Sequence, residues 1–297
     1  MAMENNGAAA SNRKMKLFEG EKWLVLIGLL GFALAAFAGV YVLRYGAVVL
    51  PEGDVSRAFS FDAAIGIFAI SIAAILPLAS LSPRARKRFR LFYAASLLYG
   101  YAVETIQHFR GINPRFTKVG TVGDSIAGGL FGLEAILIVV VTLLLAAAYF
   151  RPRQPHERPL VALGIRYAFL SLLFAFAAGT WMIIMQSRYT GMSGNLIVLH
   201  GLSFHALQAL PLLGWLPERA LTGVKTARLR LHIGGIAWMA AMALLFVQTA
   251  LGHTVFEWTA LPVAAGVMLA VWLGTAIAAA AELLKPAAAQ SDAGFRR

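Results

Sequence analysis

The sequence predicts an all-α, polytopic helical membrane protein of eight transmembrane helices with both termini in the cytoplasm. Three observations carry that expectation. Of 297 residues, 59% are hydrophobic and only 13% charged, whereas a soluble domain carries about 25% charged residues. Eight apolar stretches reach the roughly 20 residues of helix that cross a bilayer. The basic residues also alternate by side from loop to loop, as cytoplasmic loops of membrane proteins require.

Taken in order, the spans fall at Trp23–Leu43, Ala58–Leu81, Leu91–His108, Gly123–Phe150, Val161–Gln186, Asn195–Leu216, Leu231–Leu251 and Glu257–Leu284. Their continuity favours helices over barrel strands, whose hydrophobic alternation is weaker. The first follows Arg13, Lys14, Lys16 and Lys22. Its apolar run is too long for a signal peptide and seven more spans follow, so it reads as an uncleaved anchor. Residues 1–22 and 285–297 read as flexible cytoplasmic tails around one membrane domain, 23–284. SPRARKRFR, carrying Arg84, Arg86, Lys87, Arg88 and Arg90, separates spans two and three. Arg151, Arg153 and Arg158 follow span four, and Arg219, Lys225, Arg228 and Arg230 follow span six. With Arg166 and the C-terminal Lys285, Arg296 and Arg297, 20 of the 26 basic residues fall on one side. Arg44, Arg57, Arg110, Arg115, Lys118 and Arg188 fall on the other. The net charge of +12 is therefore a topology signal and does not point to nucleic acid. The expected partner is the lipid bilayer, and the expected location a bacterial cytoplasmic (inner) membrane.

Four spans per half, 23–150 and 160–284, suggest a 4+4 tandem repeat. Arg44-Tyr45 and Arg188-Tyr189 end the first span of each half, and Ser60-Phe61-Asp62-Ala63 matches Ser203-Phe204-His205-Ala206. That pairing would relate Asp62 to His205 about a pseudo-twofold axis along the membrane normal. It needs a gap, because Ser60 to Pro83 is 23 residues and Ser203 to Pro217 only 14.

An Asp, Lys or Arg at the centre of a membrane helix costs about 2.5–3.5 kcal/mol on insertion scales, so ionisable groups there call for a reason. The candidates are Asp62, Glu104, His108, Glu134, His200 and His205, with Gln107, Arg110, Arg188 and Gln208 as polar neighbours. In ETIQHFRG, Glu104 and His108 share one helix face at i, i+4, where Glu104 can fix the imidazole tautomer or help ligate a metal. Arg110 and Arg115 follow at the outer surface, ready for an anionic group or an acidic cap. Asp124 is the expected N-cap of span four, and Gly128 with Gly132 forms a GxxxG that permits close helix contact. In LHGLSFHALQALP, His200 and His205 lie about 140° apart around the helix, so each needs its own partner. The expected partners are His108 and Glu104 for His200, and Glu134, at matching depth, for His205.

The chain has no cysteine, which excludes disulfides, thiolate metal sites and iron–sulfur clusters. ETIQHFRG and LHGLSFHALQALP resemble stretches of bacterial multi-pass membrane proteins of about this length, a resemblance that implies no particular activity. Acids and histidines at graded depth fit a small-solute or proton-coupled transporter. The alternatives are a redox or metal protein, with b-type haem or a metal on His108, His200 or His205, and an outward-facing enzyme acting on a lipid or quinone.

Overall fold

A computed structural model of the chain describes residues 16–152, 156–220 and 223–284. Most of both predicted tails, residues 1–15 and 285–297, and Arg153 lie outside the described residues. The rest is almost entirely helical: α1 (Lys22–Tyr45), α2 (Val55–Ile75, extended by a 3-10 turn to Leu78), α3 (Pro83–Phe109), α4 (Val122–Phe150), α5 (Pro159–Met185), α6 (Leu196–Phe204), α7 (Ala206–Arg219), α8 (Val224–Ala250) and α9 (Ala260–Ala281). Among the described residues, seven spans are long and apolar enough to cross a membrane, α6 and α7 together forming one of them. Large side chains such as Phe37, Val40 and Leu43 on α1 and Ile136 and Leu144 on α4 point outwards, the surface a helical membrane protein presents to lipid tails. The seven do not include α3. It opens on the basic run Arg84–Arg90 and ends on Glu104, Gln107 and His108.

The membrane-facing elements carry features that hydropathy does not reveal. Two antiparallel hairpins of two-residue strands precede α2 and α6: β1 (Val48–Val49) with β2 (Gly53–Asp54), and β3 (Tyr189–Thr190) with β4 (Gly194–Asn195). The face bearing these hairpins is called the hairpin face below, and the opposite one, bearing Arg84–Arg90, the basic face. The sixth span, expected to be continuous, is interrupted at His205, about 14 Å from its start at 1.5 Å per residue. Pro211 lies six residues further on and cannot donate to the carbonyl of Leu207. The Ser203 carbonyl at the break accepts the Ser171 hydroxyl (3.1 Å), which itself accepts the Trp238 indole N–H (3.0 Å). The end of the predicted N-terminal tail is also fastened. Glu21 is fully buried and paired with Arg86 and Arg90, at 2.6 Å each.

Two helix-level expectations are corrected. Thr121 caps α4, and Asp124 completes a capping box from the third position. The GxxxG does not join helices. A Cβ on Gly128 would lie 2.9 Å from the Pro114 carbonyl of the preceding loop, and one on Gly132 would meet nothing within 4 Å. Close helix contact occurs instead between α5 and α7, where a Cβ on Gly164 would fall 2.4 Å from Leu210 O and one on Gly214 2.2 Å from Leu160 O. Gly214→Ala is expected to destabilise the protein by about 1–3 kcal/mol through overpacking against backbone. Gly266→Ala, where a Cβ would meet nothing, serves as the control. Thermal unfolding in detergent reads both.

Corresponding features recur at one spacing along the chain. Asp54 and Asn195 cap α2 and α6 and stand 141 positions apart, as do the first residues of α3 and α8, Pro83 and Val224, and their last, Phe109 and Ala250. Hydrogen bonds follow: Val55 N–H to Ala47 O and Leu196 N–H to Arg188 O, then Glu52 N–H to Gly111 O and Ser193 N–H to Gly252 O. Gly111 and Gly252 both have positive φ, +75° and +83°, and each is crowded by the hairpin of its own half, which leaves no room for a side chain. This register places Ser203 opposite Asp62, and His205 opposite Ala64. At this spacing the expected pairing of Asp62 with His205 would be offset by two residues.

Candidate functional site

The ends of α2 and α3 at the hairpin face bring Asp62, Glu104 and His108 into one buried cluster. His108 Nδ1 accepts the Asp54 backbone N–H at 3.0 Å. A nitrogen that accepts carries no proton, so the neutral ring is protonated at Nε2. Nε2 faces Glu104 Oε1 at 3.3 Å, with both side chains 1% exposed. The expected Glu104–His108 pair on one face of α3 is thus present. The other Glu104 oxygen meets Arg115 Nη2 at 2.9 Å. One turn away, Asp62 is fully buried. Its Oδ2 accepts the Thr105 hydroxyl at 2.9 Å, while its Oδ1 has no hydrogen-bond partner.

Gln107 and Arg110 serve the neighbouring scaffold. Gln107 donates to Asp124 (3.0 Å), and Arg110 pairs with Asp124 (2.6 Å) while donating to Gln107 Oε1 (2.9 Å). Gln248 makes an amide–acid contact of its own, with Glu257 at 3.4 Å.

Arg115 is held by its loop. Glu52, in the turn of the first hairpin, accepts the Thr117 hydroxyl (2.7 Å) and the N–H groups of Lys118 (2.9 Å) and Asn113 (3.3 Å). The Thr117 hydroxyl first, then the two amides, hold the Glu52 carboxyl below the usual carboxylate range. Because the folded value is depressed, the tether is fully present above the unfolded pKa of about 4.3 and is lost as pH falls through the lower folded value. Amide-exchange protection at Asn113 and Lys118, corrected for intrinsic rates, is expected to fall across that acid window in the native chain and to be low at every pH in Glu52→Gln.

The remaining candidates do not join this cluster. His200 does not reach α3. Its Nδ1–H donates to Ala175 O on α5 (2.8 Å), and its ring packs edge-on to Phe204, centroids 4.9 Å apart. His205 is exposed beside the helix break, and its partner is Gln208 (3.1 Å) rather than Glu134; Gln208 in turn donates to Ser71 of α2 (2.5 Å). Glu134 lies on the stripe of α4 that continues through Phe131 and Thr142, and no hydrogen bond or ion pair is present at its carboxyl among the described residues. Arg188 is exposed and stacked on Tyr189, 4.9 Å from the ring centroid. Thr105 was missed as a site member, whereas Arg115, expected at the outer surface beside an acid or an anion, does meet the acid Glu104. Thr105 looked like an ordinary membrane-helix threonine, whereas Arg115, six residues beyond the end of α3, carried a legible signal as a basic residue on the side where few occur.

Helices α1–α4 and helices α5–α9 are joined unevenly. Arg166 donates to Tyr149 O (2.8 Å), the Tyr149 and Phe169 rings pack at 5.6 Å, Gln208 reaches Ser71, and Phe68 packs on Phe204 at 5.7 Å. All four links lie at mid-depth or towards the basic face. Above them, among the described residues, no hydrogen bond, ion pair or ring contact joins the two sets.

Fold and composition define a multi-pass helical membrane protein. Comparison with family models, with curated proteins and with solved structures finds no match to the chain.

Proposed function

We propose that the chain is a proton-coupled carrier of a small solute, built as two tandem four-span units and held open towards the hairpin face. The observation that carries this reading is the uneven seam: among the described residues, the hydrogen bonds and ring contacts between the two sets of helices lie at mid-depth and towards the basic face. Transporter sites recur at such repeat interfaces and beside interrupted helices, and the break at His205 lies at this seam. The constant 141-position spacing of caps, helix ends and loop hydrogen bonds supports the duplication. With 27 residues, α3 extends about 40 Å at 1.5 Å per residue, enough to serve as the eighth span. The basic bias puts the basic face and both termini in the cytoplasm of a bacterial cell. Asp62, Glu104 and His108 are the proton-handling groups.

A haem or metal on His108, His200 and His205 is less well supported. His108 Nδ1 already accepts the Asp54 backbone N–H, and among the described residues no three His, Asp or Glu side chains converge as a ligand set.

The absence of cysteine makes the test direct. Single cysteines replacing Val48 and Tyr189 are expected to react with a membrane-impermeant maleimide from outside the cell, and one replacing Lys87 only after permeabilisation. Reconstituted protein is expected to move protons in response to a solute gradient. Labelling of the two hairpins from opposite sides would rule out parallel repeats, and proton movement that responds to no solute would rule out the carrier.

A further inference from the structure

Resting on the carrier reading, we propose that the solute is a small organic monocarboxylate, recognised by Arg115 and co-transported with a proton that Glu104 takes up. Arg115 is positioned as a receptor for an anion. Its guanidinium lies 5.8 Å and 5.5 Å from the ring centroids of Phe61 and Phe131, which orient it by stacking. It approaches Glu104 Oε2 to 2.9 Å, yet that oxygen receives no hydrogen bond. The contact neutralises charge without using the forked donors that suit a carboxylate. The Arg115 side chain is 39% exposed whereas that of Glu104 is 1% exposed, so an anion entering from the hairpin face meets the guanidinium first. Gly128 is why the loop can lie there, since a Cβ would strike Pro114 O at 2.9 Å and Arg115 O at 3.3 Å.

Charge balance supplies the coupling. When a solute carboxylate displaces Glu104 from Arg115, Glu104 is left with no cation. The groups facing it are His108, protonated at Nε2 by its bond from Asp54, and the acid Asp62. A second negative charge in this buried cluster is costly. Glu104 therefore takes one proton from the outer solution as one carboxylate binds, and the net charge of the cluster is unchanged. No bond other than O–H forms, and one anion enters with one proton. The solute is a monoanion because the neighbouring cation, Arg110, is committed to Asp124 and Gln107.

The test uses the full chain in liposomes loaded with a pH-reporting dye, with protein-free liposomes as the baseline, and thermal unfolding of the same protein in detergent. The probes are lactate and benzoate as monocarboxylates, succinate as a dianion and choline as a cation. Lactate or benzoate is expected to raise the unfolding midpoint and to acidify the lumen above baseline, with succinate and choline doing neither. Arg115→Lys keeps the charge but loses the fork, and is expected to weaken monocarboxylate binding at least about tenfold. Glu104→Gln is expected to keep the thermal shift while losing the acidification, a split that a merely structural Glu104 would not give. Acidification driven by choline, or monocarboxylate effects unchanged in Arg115→Lys, would overturn the anion assignment and leave the carrier reading standing. Acidification by none of the four probes, with no thermal shift, would overturn the monocarboxylate proposal, and failure across a wider set of neutral solutes would bring down the carrier reading too.

Discussion

Glu21→Ala is expected to destabilise the protein by about 3–5 kcal/mol, the range for removing one partner of a buried ion pair. The carboxylate is fully buried and accepts from Arg86 Nε at 2.6 Å and from Arg90 Nε and Nη2 at 2.6 and 3.0 Å. Both arginines also lie beside the backbone just before α1, where Arg86 donates to the Glu19 carbonyl. Removing the carboxylate leaves two guanidinium groups 17% and 26% exposed with their central acceptor gone. This exposure lets water take up part of the loss and points to the lower end of the range. Glu21→Gln keeps the shape and one acceptor and is expected to recover only part of the stability. Because the pair is shielded, 0.5 M salt should change the difference little. A loss below about 1 kcal/mol would place this triad among surface ion pairs of small value. The measurement is the thermal or denaturant midpoint of the detergent-purified protein.

The same triad shows where sequence reading stopped. Hydropathy located the seven apolar spans because burial in lipid demands long apolar runs, a signal summed over about 20 positions, although α3 and α8 begin eight and seven residues before the expected starts. Residues 16–22 carry no such signal, and nothing local tells Glu21 that its partners lie 65 and 69 positions away. At the site, Glu104 and His108 were legible because helix geometry makes i, i+4 neighbours of them. Asp62 was legible as a costly residue, although its companions were not. The misplaced partners of His200 and His205 share one cause. Depth along a helix can be counted from sequence, but which helix stands opposite depends on packing across the whole bundle. The hairpins are too short to leave a pattern in the sequence.

Under the proposed duplication, the 141-position spacing acts as a filter. Features present at both related positions belong to the framework: the Asp54 and Asn195 caps, the Gly111 and Gly252 turns, and the Gln107 and Gln248 amides. Features present once are free of that duty. In that proposed register Asp62, Glu104 and His108 correspond to Ser203, Leu245 and Thr249, none of which is ionisable.

Asp62→Ser is accordingly expected to abolish solute-driven proton movement, by on the order of a hundredfold or more, as for loss of an essential proton-transfer group. It is expected to leave the unfolding midpoint unchanged or raised. A residue retained only as structural glue would behave in the opposite way, because its removal would strand the Thr105 hydroxyl and lower stability. Here the substitution removes a fully buried carboxyl with one oxygen unpartnered and installs the side chain that the second half carries at the same register. Functional groups commonly hold such uncompensated cost, and their replacement commonly stabilises. Asp62→Asn separates charge from shape, since it keeps an acceptor for Thr105 yet cannot bind and release a proton, and it should match Asp62→Ser in flux. If both variants lose stability and keep flux, Asp62 is part of the framework and the proton path runs through Glu104 and His108 alone.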